Sequence, residues 1–525
     1  MSSQNGHPSE AIAPRTSTRA ASATSERARS HVDIAIVGTG FAGLGMAYRL
    51  KQEGIEDFAI LERGDDVGGT WWWNTYPGCQ CDIPSHLYSF SFAPNPEWSR
   101  TYPLQHEIQG YLRDCAQKFG LLPYIQFGRE VKRARWDEAH ARWEIETNAG
   151  TITARVVIGG QGGLSEPRLP DIPGRDTFAG PSFHSAQWDH SVDLKGKKVA
   201  VLGTGASAIQ IVPTIQPEVE QLHVFKRTPP WVVTNSDRPI TGFERRLFRR
   251  FPAVQRRVRR NVYWLRELLA LPMTRRPNLL KVLEDRARAH MRKSVKDPEL
   301  QRKLTPDYRI GCKRILPSNN WYPALVKPNV NVVTDGIAEI RPEGVVTADG
   351  AVHECDVIVH ATGFHVTDIP FARRVIGRDG RSLHDTWDGS PQAYKGTAVP
   401  GYPNLFLLLG PNTGLGHNSI VYMIEAQIAY VMDAVRTMRK QGAHALGVRP
   451  EAFRSWNDAL QRRLPPTVWN SGGCSSWYID KNGLNTTIWP DFTWRFRRLT
   501  RKFDVAAYEP EPVEAADASR ATVLA

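Results

Sequence analysis

Val32-Asp-Ile-Ala-Ile-Val37 runs directly into Gly38-Thr-Gly40-Phe-Ala-Gly43, and Leu44 to Lys51 follows with helical periodicity. An apolar run of this kind suits a strand buried on both faces of a parallel sheet. The glycines permit a tight turn and let a pyrophosphate approach the N-terminus of the helix, where unpaired N–H groups bind anions. A second apolar run, Phe58-Ala-Ile-Leu61, ends at Glu62. A carboxylate at that strand end accepts hydrogen bonds from an adenosine ribose. Strand, glycine loop, helix, strand and acid together read as a dinucleotide-binding module.

The pattern returns later in the chain. Lys198-Val-Ala-Val-Leu202 leads into Gly203-Thr204-Gly205-Ala-Ser207-Ala208, and the following strand, Leu222-His-Val-Phe225, ends at Lys226-Arg227. An acid at the strand end suits a free ribose 2′-hydroxyl, whereas Lys or Arg suits a 2′-phosphate. The comparison assigns FAD to the first module and NADPH to the second. The fold class expected is α/β, with two Rossmann-like dinucleotide-binding domains and a helical insert.

Composition narrows the alternatives. A chain of 525 residues is long enough for two or three domains, and 41% hydrophobic with 23% charged residues fits a globular protein. A net charge of +13 suits phosphate-bearing ligands or an anionic membrane surface. No zinc finger or RNA-binding signature occurs, so nucleic acid is not an expected partner. Cys79, Cys81, Cys115, Cys312, Cys355 and Cys474 are scattered. They form neither a disulfide framework nor a metal site, and free thiols in a reducing cytoplasm are expected. No apolar run is long enough to span a bilayer, and the N-terminus has no secretory apolar core.

Pro-rich Leu164–Gly174 reads as an extended linker between the modules, and Phe178-Ala-Gly180-Pro-Ser-Phe-His184-Ser-Ala-Gln-Trp188-Asp189 follows it. Gly180 gives backbone freedom there, and His184 and Trp188 share a face if that turn is helical. Phe178, Gly180, His184, Trp188 and Asp189 resemble the fingerprint of type I Baeyer–Villiger monooxygenases. Other blocks are similar to the same family: Gly68-Gly69-Thr70-Trp71, Tyr76-Pro-Gly-Cys-Gln-Cys-Asp82, Ser85-His-Leu-Tyr88-Ser-Phe-Ser-Phe92 and Gly311-Cys-Lys313-Arg314. The resemblance covers about residues 32 to 500. It departs at Gly159-Gly-Gln161-Gly-Gly163, where the family has an Ala-Thr-Gly-like turn, and Gln161 is given no chemistry.

The resemblance implies roles. Gly38, Gly40, Gly43, Glu62, Gly69, Thr70, Trp71, Asp82 and Tyr88 would contact FAD. Gly203, Thr204, Gly205, Ser207, Lys226, Arg227 and Lys313 would contact NADP. Arg314 would be the catalytic cation and Asp82 its partner beside the flavin ring. Trp477 would belong to a mobile lid and substrate wall. The implied reaction uses NADPH and O2 to insert one oxygen beside the carbonyl of a small hydrophobic ketone, through a C4a-peroxyflavin, to give an ester or lactone.

The organisation expected is a disordered tail over residues 1–30, an FAD domain over 31–165, an NADP domain over 166–359, a second FAD part with the lid over 360–505, and a disordered tail over 506–525. The Arg-rich stretch from about 240 to 303 inside the NADP domain reads as a solvated helical insert, with weak contact to a membrane surface as the lesser reading. Other functional readings stay open: an N- or S-oxygenating flavin monooxygenase with the same cofactors, a flavin disulfide reductase, and a non-catalytic flavin redox sensor. A reductase needs a redox dithiol, usually C-x-x-x-x-C, and the chain offers only Cys79 and Cys81.

Overall fold

The computed structural model describes residues 30–511, so the tails expected over residues 1–30 and 506–525 lie outside the described residues except at 30 and 506–511. Two sheets organise the chain. The first has eight strands, including β1 (His31–Val37), β2 (Phe58–Leu61), β3 (Ile125–Gln126), β4 (Val131–Asp137), β5 (Arg142–Thr147) and β6 (Gly150–Gly159). β1 lies between β2 and β6, parallel to both, and its Val32, Ile34, Ala35 and Ile36 are wholly buried. Two strands from late in the chain complete this sheet: Val375–Ile376 pairs β4 and Leu405–Leu407 pairs β6.

The second sheet is all-parallel, in the order Val330–Val333, β9 (Gln221–Phe225), β8 (Lys198–Leu202), Val357–His360 and β7 (Ser182–His184). The architecture is therefore α/β with two Rossmann-like sheets.

Each glycine loop sits where a central strand passes into a helix. After β1 comes α1 (Phe41–Gln52), which buries Ala42, Leu44, Met46, Ala47 and Leu50. A Cβ at Gly45 would lie 2.9 Å from Ile428 and 3.0 Å from the Phe90 ring, so this glycine lets α1 approach the long helix Ile420–Gln441. That helix starts at Ser419, whose hydroxyl accepts from the Val421 N–H, and stops at Gly442 with φ 63°. Two further helices lie between the loops in sequence, α2 (Thr70–Trp73) and α3 (Gln105–Lys118). α4 (Ala208–Ile215) follows the second loop.

The fingerprint forms the edge of the second sheet. β7 pairs in parallel with Val357–His360, which sets His184 beside His360. Gly180 has a steric reason: a Cβ there would lie 2.2 Å from the Asp356 carbonyl oxygen. The shared helical face of His184 and Trp188 is not observed. Strand pairing fixes His184, a short 3-10 turn over Ser185–Gln187 follows, and the rings diverge. His184 packs against Phe364 and Trp188 against Phe183. Asp189 accepts from the Ser191 amide and hydroxyl, and Phe178 packs in the core beside the second sheet.

Two further expectations are corrected. The C-terminal tail is ordered to residue 511, because Tyr508–Glu511 pairs antiparallel with Ala445–Val448. Tyr508, 2% exposed, is the apolar anchor that the acidic composition hid. Cys312 and Cys474 are joined in a disulfide with their Cα atoms 6.1 Å apart. The fold brings them together across 162 positions, a proximity no spacing rule reveals. Cys79, Cys81, Cys115 and Cys355 are buried free thiols.

The basic stretch folds as α5 (Gly242–Arg250), α6 (Pro252–Glu267) and further helices through Leu304. Among the described residues no helix is long and apolar enough to cross a membrane.

Two glycines give opposite predictions. Gly180→Ala forces its Cβ into the Asp356 carbonyl and lowers stability by about 1–3 kcal/mol. Gly110→Ala, in the interior of α3 with open space at its Cβ, raises stability by about 0.5–1 kcal/mol. Thermal unfolding of the two variants checks both signs.

Candidate active site

The first loop closes on backbone alone. Gly38 has φ 96°, and its Cβ would meet the Gly160 carbonyl oxygen at 2.9 Å; a Cβ at Gly43 would come within 1.8 Å of the Gly38 oxygen. α1 carries no side-chain cap, so its first-turn amides are left for an anion. The turn at Gly69 (φ 54°) rests on this loop, since a Cβ there would lie 2.9 Å from the Gly40 Cα. Thr70 and Trp71 then open α2, and the Trp71 indole donates to the Tyr88 hydroxyl at 3.2 Å.

Glu62 is 4% exposed at the end of β2. One carboxylate oxygen accepts from the Thr39 amide (2.9 Å) and hydroxyl (2.6 Å), and the other from the Gly64 amide (2.7 Å). The acid braces the loop and also lines a cleft running from Gly38 and Gly69 to Gly160–Gly163. The glycine-rich departure at Gly159–Gly163 thus keeps a backbone role: a Cβ at Gly160 would crowd the Val37 oxygen at 3.0 Å.

The second loop repeats the construction. Gly203 has φ 120° and its Cβ would lie 2.4 Å from the Ala361 oxygen. Gly205 faces open space, the Thr204 hydroxyl donates to the Thr228 carbonyl, and Ser207 precedes α4 without capping it by its side chain.

The pair Lys226-Arg227 divides. Lys226 is 6% exposed, and its ammonium is turned inward to donate to the Lys303 carbonyl. Burial, with some repulsion from Lys303, pulls it down to about 8. This corrects the expectation that Lys226 meets a phosphate: it ends a strand whose side chain points into the helical insert. Arg227 is exposed, and Lys313 lies within its field. Burial first, and then the Arg227 charge, lowers Lys313 below the ordinary lysine value. Among the described residues neither Arg227 nor Lys313 is in an ion pair, so their charges remain available to an anion.

Asp82, in the stretch after β2, and Arg314, beyond the helical insert, meet across 232 positions. Asp82 Oδ2 and Oδ1 accept from Arg314 Nε and Nη2, each at 2.5 Å. Burial opposes ionisation of Asp82, but the Arg314 charge and its two hydrogen bonds outweigh that cost and hold the carboxyl below its usual range. About a third of the Arg314 side chain stays accessible. Its Nη1 donates to the Leu415 carbonyl at 3.4 Å. The result is a fixed cation with its back to a carboxylate and N–H groups left over.

Burial pushes the neighbouring Cys79 thiol up to about 12 and raises Cys81 as well. Both stay protonated at neutral pH, which is unsuited to dithiol exchange.

Trp477 is 46% exposed, while Tyr478 beside it is 1% exposed and lies within the field of Arg314. The same segment carries Cys474, tied to Cys312 two positions before Arg314. Sequence reasoning missed this tether, the Leu415 carbonyl, Tyr478, and Arg266 of α6, whose charge also acts on Asp82. The only available signal was the position of each cysteine close to a singled-out residue.

Residues 35–241 match the pyridine nucleotide-disulphide oxidoreductase family. A Baeyer-Villiger monooxygenase of Streptomyces coelicolor is 54% identical over 93% of this chain and 95% of its own length. One from Pseudomonas aeruginosa is 52% identical over 92% of each chain. The structure of OTEMO in complex with FAD and NADP superposes with a TM-score of 0.81 at 28% identity, over 92% of this chain and 100% of that one.

The ion pair carries a pH signature. The Asp82 carboxyl sits below its ordinary 3.8 in the folded chain, so its stabilisation is complete above about pH 4 and is lost as pH falls through the lowered value. The difference in Tm between wild type and Asp82→Asn is therefore largest above about pH 4 and closes on acidification. Calorimetry across that range checks it; a constant gap contradicts the linkage.

Proposed function

The chain belongs to the Baeyer–Villiger monooxygenases, and from that premise we propose that Arg314, oriented by Asp82, is the cation at which its oxygen insertion occurs. The protein is an NADPH- and O2-dependent flavoprotein that inserts one oxygen atom beside a ketone carbonyl to give an ester or lactone. Its cofactors are FAD and NADP(H). The observation that carries the site assignment is the bidentate Asp82–Arg314 pair, with about a third of the Arg314 side chain left accessible.

The residues fit the cofactors. The first loop, with Glu62 at the end of β2, suits the FAD pyrophosphate and ribose, and Gly69, Thr70, Trp71 and Tyr88 continue toward the Asp82 side. The second loop, with Arg227 and Lys313, suits a 2′-phosphorylated dinucleotide. We assign residues 31–165 and 360–505 to FAD and 166–359 to NADP, a division supported by the pairing of Leu405–Leu407 with β6. The segment around Trp477 is taken as substrate wall, the substrate as a small hydrophobic ketone, and the cytoplasm, where NADPH is supplied, as the site of action.

The chemistry that bound FAD would supply, once reduced by NADPH, is activation of O2, from which the inserted oxygen atom would come. The chain's own task is electrostatic. A guanidinium cannot lose its proton at any working pH, so Arg314 donates N–H groups wherever negative charge builds on the oxygen donor or the ketone oxygen. Asp82 occupies Nε and Nη2, which fixes the plane of the guanidinium and leaves its outer N–H groups to the substrate side. The buried ring of Tyr478 behind Trp477 helps to exclude water. Oxygenation of a sulfide or amine, being attack by a soft nucleophile, has no such need of Arg314.

Removal of Arg314 separates the two half-reactions. Arg314→Ala still oxidises NADPH, more slowly, and releases hydrogen peroxide in place of ester, with ester formation down by about 3–4 kcal/mol or a factor of hundreds. Product analysis on a panel of ketones and sulfides, with a peroxide assay, reads this out. Ester formed at the wild-type rate overturns the assignment of Arg314.

Coenzyme choice separates the two strand-end cations. Arg227→Ala raises KM for NADPH roughly tenfold to a hundredfold, the worth of one charge-assisted contact, and leaves KM for NADH nearly unchanged. Lys226→Ala lowers thermal stability without changing the NADPH-to-NADH ratio. Equal losses with both coenzymes in Arg227→Ala contradict the phosphate assignment.

A further inference from the structure

The outer face of α5 and α6 is built unlike a solvated surface. Between residues 242 and 276 the chain carries eleven arginines against two carboxylates, Glu244 and Glu267. Neither acid serves the outer face. Glu244 is held by Arg238 and the Thr241 amide, and Glu267, 1% exposed, accepts from Asn418 and Thr493. Arg256, Arg257 and Arg260 are exposed on α6, and among the described residues none of them is in an ion pair.

The same stripe continues at helical spacing through Trp264 (52% exposed), Leu265 (68%) and Leu268 (70%). Phe243 and Phe251, 72% and 51% exposed, stand at the start of α5 and at its junction with α6. Single exposed apolar residues are ordinary, but Trp264, Leu265 and Leu268 together, on the same helix as unpaired arginines, mark a contact surface.

The helix cannot roll to hide this face. On its inner side Arg259 donates to the His86 and Ser89 carbonyls at 2.7 and 2.9 Å, and the Tyr263 hydroxyl bonds to Thr493 at 3.0 Å.

We propose that this face docks on an anionic lipid surface, with Trp264, Leu265 and Leu268 in the acyl boundary and Arg256, Arg257 and Arg260 among the headgroups. Charge decides between the possible occupants. A second copy of the chain would bring the same arginines and a net charge of +13 against this face, and like charges across an isologous contact repel. Anionic lipid supplies both halves of the match, negative headgroups over hydrocarbon. Arg266, on the inner side of α6, donates to the Tyr102 hydroxyl at 3.0 Å and its charge acts on Asp82, so α6 itself would stand between the lipid and the proposed site. An apolar ketone dissolved in the bilayer would then reach it past this one helix. That consequence rests on the proposed site; the docking does not.

The test uses the FAD-loaded full chain, sedimented with vesicles of phosphatidylcholine alone or of equal parts phosphatidylcholine and phosphatidylglycerol. Wild type binds the mixed vesicles, ignores the neutral ones, and is released by salt. The triple variant Arg256→Gln, Arg257→Gln, Arg260→Gln lowers the partition coefficient on the order of a hundredfold. The double variant Leu265→Glu, Leu268→Glu lowers it at least about tenfold. Flavin content and turnover of a water-soluble ketone stay at wild-type values in both, which separates lost docking from lost folding or lost catalysis. Equal sedimentation with the two vesicle types, or unchanged binding by both variants, overturns the proposal. So does a wild-type dimer in sedimentation velocity that the double leucine variant splits, because the face then belongs to a second copy.

Discussion

Everything at the centre of this molecule depends on a charge that cannot be given up. Arg314 and Asp82 lie 232 positions apart, and each is mostly withdrawn from water. An unpaired guanidinium or carboxylate with most of its side chain out of water would carry a desolvation penalty. Together they form two charge-assisted hydrogen bonds in one plane. The pair therefore does two things: it makes burial of the cation tolerable, and it decides which N–H groups remain for chemistry. The Asp82 segment belongs to the stretch after β2, whereas Arg314 arrives from the far side of the helical insert. The site exists only when both halves of the chain have folded and closed on each other.

Much of this was legible because it rests on backbone sterics. Gly38, Gly43 and Gly203 stand where a Cβ would strike a carbonyl oxygen, and such positions advertise themselves as G-x-G spacings. The burial of β1 and β8 on both faces was equally plain in their apolar runs, Ile34–Val37 and Val199–Leu202. Gly180 belongs to the same class: its place in the fingerprint was recognisable by family resemblance, and its contact with the Asp356 carbonyl supplies the cause. Asp82 and Arg314 were found through resemblance alone, since no local pattern tells an aspartate after Cys81 that its partner lies beyond residue 300.

What was not legible depended on direction and distance. Lys226 and Arg227 are adjacent, and alternation along an extended chain sends one inward and the other outward. Composition at the strand end could count two cations but could not say which would be used up by the Lys303 carbonyl. The helical reading of His184 and Trp188 failed for a related reason: a spacing of four implies a shared face only if the backbone is helical, and a strand edge took precedence. At the C-terminus, four residues with one well-placed tyrosine outweighed an acidic, proline-containing neighbourhood.

The bond between Cys312 and Cys474 has a topological meaning beyond its two sulfur atoms. It turns residues 312–474 into a covalent ring, and within that ring the chain runs from the second sheet, through Val357–His360, back to the first at Val375–Ile376 and again at Leu405–Leu407. Among the described residues, the passage by which the polypeptide returns from the second sheet to the first is thus enclosed by its own cross-link. A single peptide-bond cleavage anywhere along that return would sever the sequence without freeing either part. Both fragments would stay attached at the point where the Arg314 loop meets the Trp477 segment.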